Sequence, residues 1–445
     1  MAPEWNRLCA DPARGPRRLD AATGREIWRV RNADPRTGAS ISSAPLVAGD
    51  VVLVGMAGSE YGVRGYLTAY QADNGKLLWR GYSTGPDDEV LVTGSAAGRY
   101  RGLGVSSWPG DAWRQGGGTT DGWLTWDPAL RLVFHGTGAP APWNAEPRPG
   151  DNKWTSSILA RDLTTGQVRW AFQATTGDAW GYGAEGENIL AELAIGTQRV
   201  PAVIHIGRNG FAYTLDRQTG RLLVVERAGP VNWVSHVDPT TGVPTKAPRY
   251  IPAPAGTTRG ICPSTVGLKG SAPSAFSPGT GVVYAPLNNL CMDVVTGPIP
   301  AHTAGQPFLG ATWRLLPGPG ASMGRLIAWD PAVGAIRWEV GEPYPILGGV
   351  LATASGLVFY ATTDGWLKAV DQQNGRERLR YRLPSGSMGA PMTFLGPDGR
   401  QYLAIVLGLG GWLGLANAEA VRPPEWETQR PGLLLVLGLP SPGQP

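Results

Sequence analysis

The chain alternates short apolar runs with glycine turns. Residues 357–381 read LVFYAT, a Thr-Asp-Gly turn, WLKAV, DQQNG and then RERLRY. Residues 202–226 read AVIHIG, Arg-Asn-Gly, FAYTL, DRQTG and RLLVVE. Each stretch predicts a meander of three short strands joined by two glycine turns. The longest apolar candidate, LLLVLGL at 433–439, predicts a terminal strand and falls well short of the ~18 apolar residues of a membrane span.

One segment of this pattern recurs. It reads LDAATGREIW (19–28), YQADNGKLLW (70–79), RDLTTGQVRW (161–170), LDRQTGRLLV (215–224), WDPAVGAIRW (329–338) and VDQQNGRERL (370–379). A turn glycine precedes a bulky apolar residue by four positions, as in Gly24/Trp28, Gly75/Trp79, Gly166/Trp170 and Gly334/Trp338. Glycine suits such a turn because it adopts positive φ without strain. The gaps between turn glycines are 51, 91, 54, 114 and 41 residues. A period of ~40–50 residues is the mark of a β-propeller. The two long gaps each hold a weaker unit, WDPALRLVFHGT (126–137) and FSPGTGVVYAPL (276–287). The expected fold is therefore an all-β propeller of eight four-stranded antiparallel blades, the first incomplete, closed by strand 433–439. Residues 19–440 form that domain in this reading. Residues 1–18 form a divergent, disordered N-terminal segment, and 441–445 a tail.

Composition agrees with many short strands and tight turns. Charged residues make up 17%, with 64 glycines, 40 prolines and 18 tryptophans in 445 residues. Net charge is +4 with no basic run, which gives nucleic-acid binding little support. Four dispersed histidines argue against a histidine-based metal site, and three cysteines allow at most one internal disulfide. The segment MAPEWNRLCADPARGPRR lacks the apolar core of a signal peptide.

The segments outside the repeat carry the chemistry. GSEYGVRGYLTAY (58–70), GDAWRQGGGTTDGW (110–123), GAPAPWNAEPRPGDNKWT (138–155), RNGFAYTLDR (208–217), ICPS (261–264), NNLCMD (288–293) and LGLGGW (407–412) are long, unusual strings. Together they resemble the pyrroloquinoline quinone (PQQ)-dependent alcohol dehydrogenases, methanol dehydrogenase large subunits in particular, from about residue 19 to 439. The resemblance implies an eight-bladed quinoprotein with PQQ and a Ca2+ or lanthanide ion on its axis. It implies oxidation of a primary alcohol by hydride transfer to the quinone, with an aspartate as base.

Position by position, the resemblance is uneven. It implies that Glu60 is a metal ligand, and that Ser42, Gly58, Thr119, Arg208 and Trp412 contact the cofactor. It implies a disulfide between Cys262 and Cys291. Read alone, Glu60 serves equally well as an ion-pair partner of Arg64, and Trp412 as blade core. Other positions depart from the family. Ala139 stands for a metal-binding asparagine, and Asp121 for the tryptophan on which the quinone stacks, with Trp123 surviving nearby. Gly181 stands for the aspartate base and Gly183 for the extra carboxylate of lanthanide enzymes. Gly270 and Leu347 replace an asparagine and a tryptophan, and the family's adjacent-cysteine pair has no counterpart.

Two functions are expected. The first is a quinoprotein alcohol dehydrogenase with a remodelled site, in which Asp121 ligates metal and Asp178, Glu185 or Glu187 acts as base. Its partners would be a small alcohol and a periplasmic cytochrome c, with no nucleic acid, no membrane span and homodimerisation open. The second is a catalytically inactive propeller that binds a ligand or a protein. The resemblance places either one in the periplasm, although this chain carries no signal peptide.

Overall fold

The computed structural model describes residues 7–11, 15–410 and 432–438. Its repeat is held together by tryptophans reaching from one sheet to the next. The indole N–H of Trp28 donates to the Ala72 carbonyl at 2.8 Å, and that of Trp79 to Leu163 at 2.9 Å. Trp170 donates to Arg217 at 3.0 Å and Trp338 to Gln372 at 2.9 Å. Each acceptor lies in the recurring turn of the following repeat. The same rings lie on the turn glycines there: a Cβ added to Gly75 would stand 3.0 Å from Trp28, and one on Gly375 2.7 Å from Trp338. Glycine is thus required twice over, by positive φ and by the ring above it. Gly24, in the first copy, has nothing within 4 Å. Where Val224 replaces the tryptophan, it packs with Glu226 against Gly334.

Five four-stranded antiparallel sheets follow one another in chain order. They run from Leu46–Ala48 to Leu77–Tyr82, Leu124–Asp127 to Val168–Gln173, Ile189–Ile195 to Leu222–Arg227, Ala275–Ser277 to Ala335–Glu342, and Val350–Ala352 to Glu377–Arg382. A three-stranded sheet precedes them (Arg7–Asp11, Gly15–Leu19, Glu26–Arg29) and another follows (Met392–Leu395, Gln401–Leu407, Leu433–Gly438). Two smaller sheets, Val234–Val237 with Pro244–Lys246 and Gly256–Ile261 with Leu290–Thr296 and Ala311–Pro317, sit in long connections. The fold is the expected all-β propeller type.

Eight blades are not reached among the described residues. The described residues contain seven blade-like sheets. The weak units at 126–137 and 276–287 are not separate blades. Each supplies the first two strands of a sheet whose last two strands hold a strong repeat, 161–170 and 329–338. Long excursions between the second and third strands had separated the halves in sequence. Strand Leu433–Gly438 pairs with Gln401–Leu407, and among the described residues it has no hydrogen-bonded partner in the first sheet. Strands also begin ahead of residue 19, at Arg7–Asp11 and Gly15–Leu19.

Antiparallel alternation sorts the loops. The recurring glycine turns join the last two strands of their sheets, so all lie at one end. Connections from second to third strand, and from one sheet to the next, all lie at the other end. Residues 30–45, 55–65, 83–123, 137–156, 174–188, 207–210, 228–274 and 289–323 therefore share an end. Every sequence-nominated site residue lies in these segments except Leu347, which lies at the same end in the connection after the fifth sheet, and Trp412, which lies outside the described residues.

Candidate functional site

The segment 177–188, GDAWGYGAEGEN, is organised by one buried carboxylate. Asp178 accepts from the backbone N–H groups of Trp180 (2.9 Å), Gly181 (3.0 Å), Tyr182 (2.7 Å) and Gly183 (3.0 Å), and from the Ser156 hydroxyl (2.8 Å). The two aromatic residues anchor the loop: Trp180 donates to Tyr250 O at 2.7 Å and Tyr182 to Pro263 O at 2.8 Å. Asp178 is thus occupied in shaping the backbone. Glu187 is occupied too. It pairs with the buried Lys269 at 2.9 Å and accepts from Ser274 N at 2.9 Å, and Lys269 holds its pKa down against burial. Of the three acids nominated as a replacement base, Glu185 alone remains.

Gly181 and Gly183 have been closed over by their neighbours. Gly181 has φ +77°, and a Cβ there would stand 2.6 Å from the Thr265 hydroxyl oxygen. Gly183 has φ +32°, and a Cβ there would meet the Glu185 carboxylate, with Oε1 at 2.5 Å. Gly138 opens the other side: a Cβ on it would lie 2.7 Å from Thr119 Oγ1 and 3.0 Å from Glu185 Oε1. Three glycines therefore make room for the Glu185 carboxylate and the Thr265 and Thr119 hydroxyls.

Arg208 faces Glu185, Nη1 to Oε2 at 3.5 Å, and its Nη2 donates to the Thr265 carbonyl. Its buried Nε has no partner. Burial pushes the Glu185 carboxyl up to about 7, against the pull of Arg208 and with added repulsion from Asp121 and Asp178. Burial also raises the Asp121 pKa, opposed by Thr119 and Arg208, and Asp121 Oδ1 is buried without a hydrogen-bond partner. Glu60 stands on the 3-10 turn Ser59–Tyr61 with its side chain open to solvent yet ringed by protein. Burial raises its pKa, and the charge of Asp121 raises it further. Electrostatically, then, Glu60, Asp121, Glu185 and Arg208 belong to one group.

The other nominated residues fall around it. Ser59 links Thr119 (3.1 Å) to the Ala139 carbonyl (3.3 Å). Gly58 has φ +125° and packs against Gly38, which fixes the turn carrying Glu60. Arg64 is not the partner of Glu60: it pairs with Glu89 at 2.5 Å and stacks on Tyr82. Ser42 lies apart, in a cleft with Asp121 and Trp123. Cys262 and Cys291 form the expected disulfide. Gly270 lies beside Asn288, and Leu347 packs with Leu290 in the core. Thr265 was not nominated from sequence. Its contacts with Gly181, across 84 positions of chain, and with Arg208 reveal it.

The family model for the glucose/ethanol/alcohol dehydrogenase β-propeller domain of PQQ enzymes matches residues 29–257 and 321–403. This chain belongs to the PQQ-dependent dehydrogenase family. The lanthanide-dependent methanol dehydrogenase of Methylacidiphilum fumariolicum (strain SolV) is 43% identical over 416 residues, 92% of this chain and 68% of that protein. Methanol dehydrogenase subunit 1 of Paracoccus denitrificans is 41% identical over 89% of this chain and 64% of its own length. A solved europium-containing methanol dehydrogenase superposes with a TM-score of 0.90 at 42% identity, covering 94% of this chain and 74% of that one.

Measured against the family's chemistry, this donor set does not fit. A Ca2+ ion takes ~6–8 oxygen ligands. Among the described residues, no group of three or more His, Cys, Asp or Glu side chains could hold a metal ion. Ala139 offers a buried methyl, and Gly181 and Gly183 offer no side chain, with the Thr265 hydroxyl and the Glu185 carboxylate against them. For the quinone, a multiply charged anion, the resemblance expects an aromatic face at position 121, and this chain carries a carboxylate there. Among the described residues, Arg208 is the guanidinium coupled to Glu185 and Asp121, so an anionic cofactor meets more acids than cations here.

Proposed function

We propose that this family member keeps the propeller and its loop-end site as a ligand-binding site and does not carry out quinone and metal chemistry. The observation that carries this reading lies at Gly181 and Gly183, where the Thr265 hydroxyl and the Glu185 carboxylate stand in contact with the place a first side-chain carbon would take. A site that had merely lost two carboxylates would be left with holes. This one has been rebuilt around other contacts. The test is turnover: the purified chain, incubated with PQQ and Ca2+ or La3+, is assayed for alcohol-dependent dye reduction. No activity above a cofactor-only blank is expected with methanol, ethanol or longer primary alcohols. Sustained turnover would refute the reading.

A second reading is favoured by one feature, the Glu185 carboxyl with its pKa near neutrality beside Arg208. A group of that kind suits proton acceptance at physiological pH. Under this reading the chain oxidises a primary alcohol, and Glu185 takes the hydroxyl proton. Relatives named as methanol dehydrogenase [cytochrome c] subunits would then point to a cytochrome c acceptor and a periplasmic setting. Glu185→Gln would abolish turnover in that case. No helix among the described residues is long and apolar enough to cross a membrane.

A further inference from the structure

The last sheet (Met392–Leu395, Gln401–Leu407, Leu433–Gly438) is covered on one face only. On the covered face Leu403, Ile405, Leu407, Leu435 and Leu437 pack with Ala361, Leu367 and Leu383 of the preceding sheet and the residue that follows it. Strand alternation turns the intervening residues the other way. Register sets them in three rows: Phe394 beside Tyr402, Met392 beside Ala404 and Val436, and Val406 beside Leu434. The Phe394 and Tyr402 rings stack with centroids 5.6 Å apart. Met392, Phe394, Val406, Leu434 and Val436 are 43–58% exposed. None of the residues in the three strands is charged.

This sheet differs from the others where they meet water. Their outermost strands carry Arg80, Arg169, Arg227, Arg337 and Arg378. Charges of that kind keep a sheet from associating with other chains. The open apolar side chains of the last sheet come to roughly 400–500 Å2, a size of patch that marks a contact site. The chain's own first sheet does not complement it. Arg18 and Trp28 turn toward the second sheet and donate to Ala72 O, so Arg17 and Arg29, directly opposite each other, turn the other way. Covering an apolar face with two guanidinium groups would strip them of water without return. A second copy offers an equal, uncharged sheet, and a twofold axis sets this face against itself. Two such faces together bury on the order of 1,000 Å2, the size at which a specific contact holds. The turn between the first two strands carries Asp398 and Arg400, which fall at the rim, where charge stays hydrated.

We propose that two copies of this chain pack face to face through the last sheet, with Met392, Phe394, Val406, Leu434 and Val436 at the centre of the contact. Stacked sheets of this kind lie ~10 Å apart with their strands within ~30° of each other. Ala404, between Met392 and Val436, is the low point of the face and gives a bulky side chain from the other copy room to enter. The inference does not depend on what the loop-end site binds.

The test is light scattering on the full chain during gel filtration, over a dilution series. The parent should show a discrete mass twice the 47.0 kDa of the chain and fall to that of one chain on dilution. Phe394→Lys and Val436→Lys each set an ammonium group in the contact and should weaken association ~10-fold or more. Both positions face water in the single chain, so circular dichroism should be unchanged, and melting temperatures of parent and variants should agree where all are dilute enough to be monomers. At higher concentration the parent alone should melt later. Val333→Lys, at a 67% exposed position in a turn of another sheet, is the control and should leave the dimer intact. One chain's mass at every concentration, open-ended aggregates in place of a discrete dimer, or a dimer that both lysine variants leave undiminished would overturn the proposal.

Discussion

The Glu185 carboxylate stands where a side chain on Gly183 would begin, with Oε1 2.5 Å from the position of an added Cβ. A side chain at position 183 would have to displace the Glu185 carboxylate. Gly183→Ala should therefore destabilise the protein by about 1–3 kcal/mol, from this overlap and from strain at positive φ. In the Gly183→Ala/Glu185→Ala double variant the overlap disappears and the strain remains. A coupling energy of roughly 0.5–3 kcal/mol is expected from denaturant unfolding of the four-member cycle. Simple additivity would mean that Glu185 does not occupy this volume.

Gly181 is guarded in the same way by Thr265. Aspartate tolerates positive φ better than most residues, so backbone strain alone would not forbid it at φ +77°. The Thr265 hydroxyl at 2.6 Å from the added Cβ is the obstacle. Gly181→Asp should cost about 1–3 kcal/mol by overpacking, and Thr265→Ala should relieve most of that loss. Melting curves of the single and double variants decide it.

The proton on Glu185 should be visible in stability against pH. Its folded pKa of about 7 lies above the ordinary value of 4.5. The folded state therefore binds the proton more tightly than the unfolded state does. Stability from this group is fully present below pH 4.5 and is lost as pH rises to 7. Glu185→Gln removes that loss, so its stability relative to the parent should rise between pH 4.5 and 8, by up to ~3 kcal/mol. A difference that stays level across this range would remove the buried-carboxyl account.

Arg161 is a purely structural cation. It is fully buried without a carboxylate, and burial lowers its pKa to about 9. Its guanidinium donates to His135 Nε2 (3.1 Å), Val90 O (2.8 Å), Gly166 O (2.9 Å) and Tyr82 O (2.9 Å), tying the third sheet to the segment before it. Arg161→Ala leaves these acceptors unpaired and should cost on the order of 3 kcal/mol, read as a lower denaturant midpoint.

The Cys262–Cys291 bond closes a loop of 29 residues beside Thr265. On the loop-entropy model its loss should cost about 3.5 kcal/mol. The Cys262→Ser/Cys291→Ser variant should melt lower than the parent, and reducing agent should move only the parent.

The propeller was legible because its repeat is local: a turn glycine and a tryptophan within ten residues. Its blade boundaries were not, because the excursions at 137–156 and 289–323 split single sheets into apparent pairs. Glu60, Thr119 and Arg208 stand out in linear motifs, and in the structure each is coupled to Asp121. The Ser42 cleft, the commitment of Arg64 to Glu89, and the filling of Gly181 by Thr265 depend on contacts between segments far apart in sequence. No spacing rule exposes these. The sequence marked Gly181 and Gly183 as losses, and only packing distinguishes an empty position from a refilled one.

A loop-end site rebuilt away from quinone and metal retains neither. The measurement is to incubate the purified chain with PQQ and Ca2+ or La3+, pass it through gel filtration, and record the quinone absorbance of the protein peak. The rebuilt site predicts no quinone above the level of a non-specific control with either metal. Stoichiometric, metal-dependent quinone in the protein peak, lost in Glu60→Ala, would contradict it.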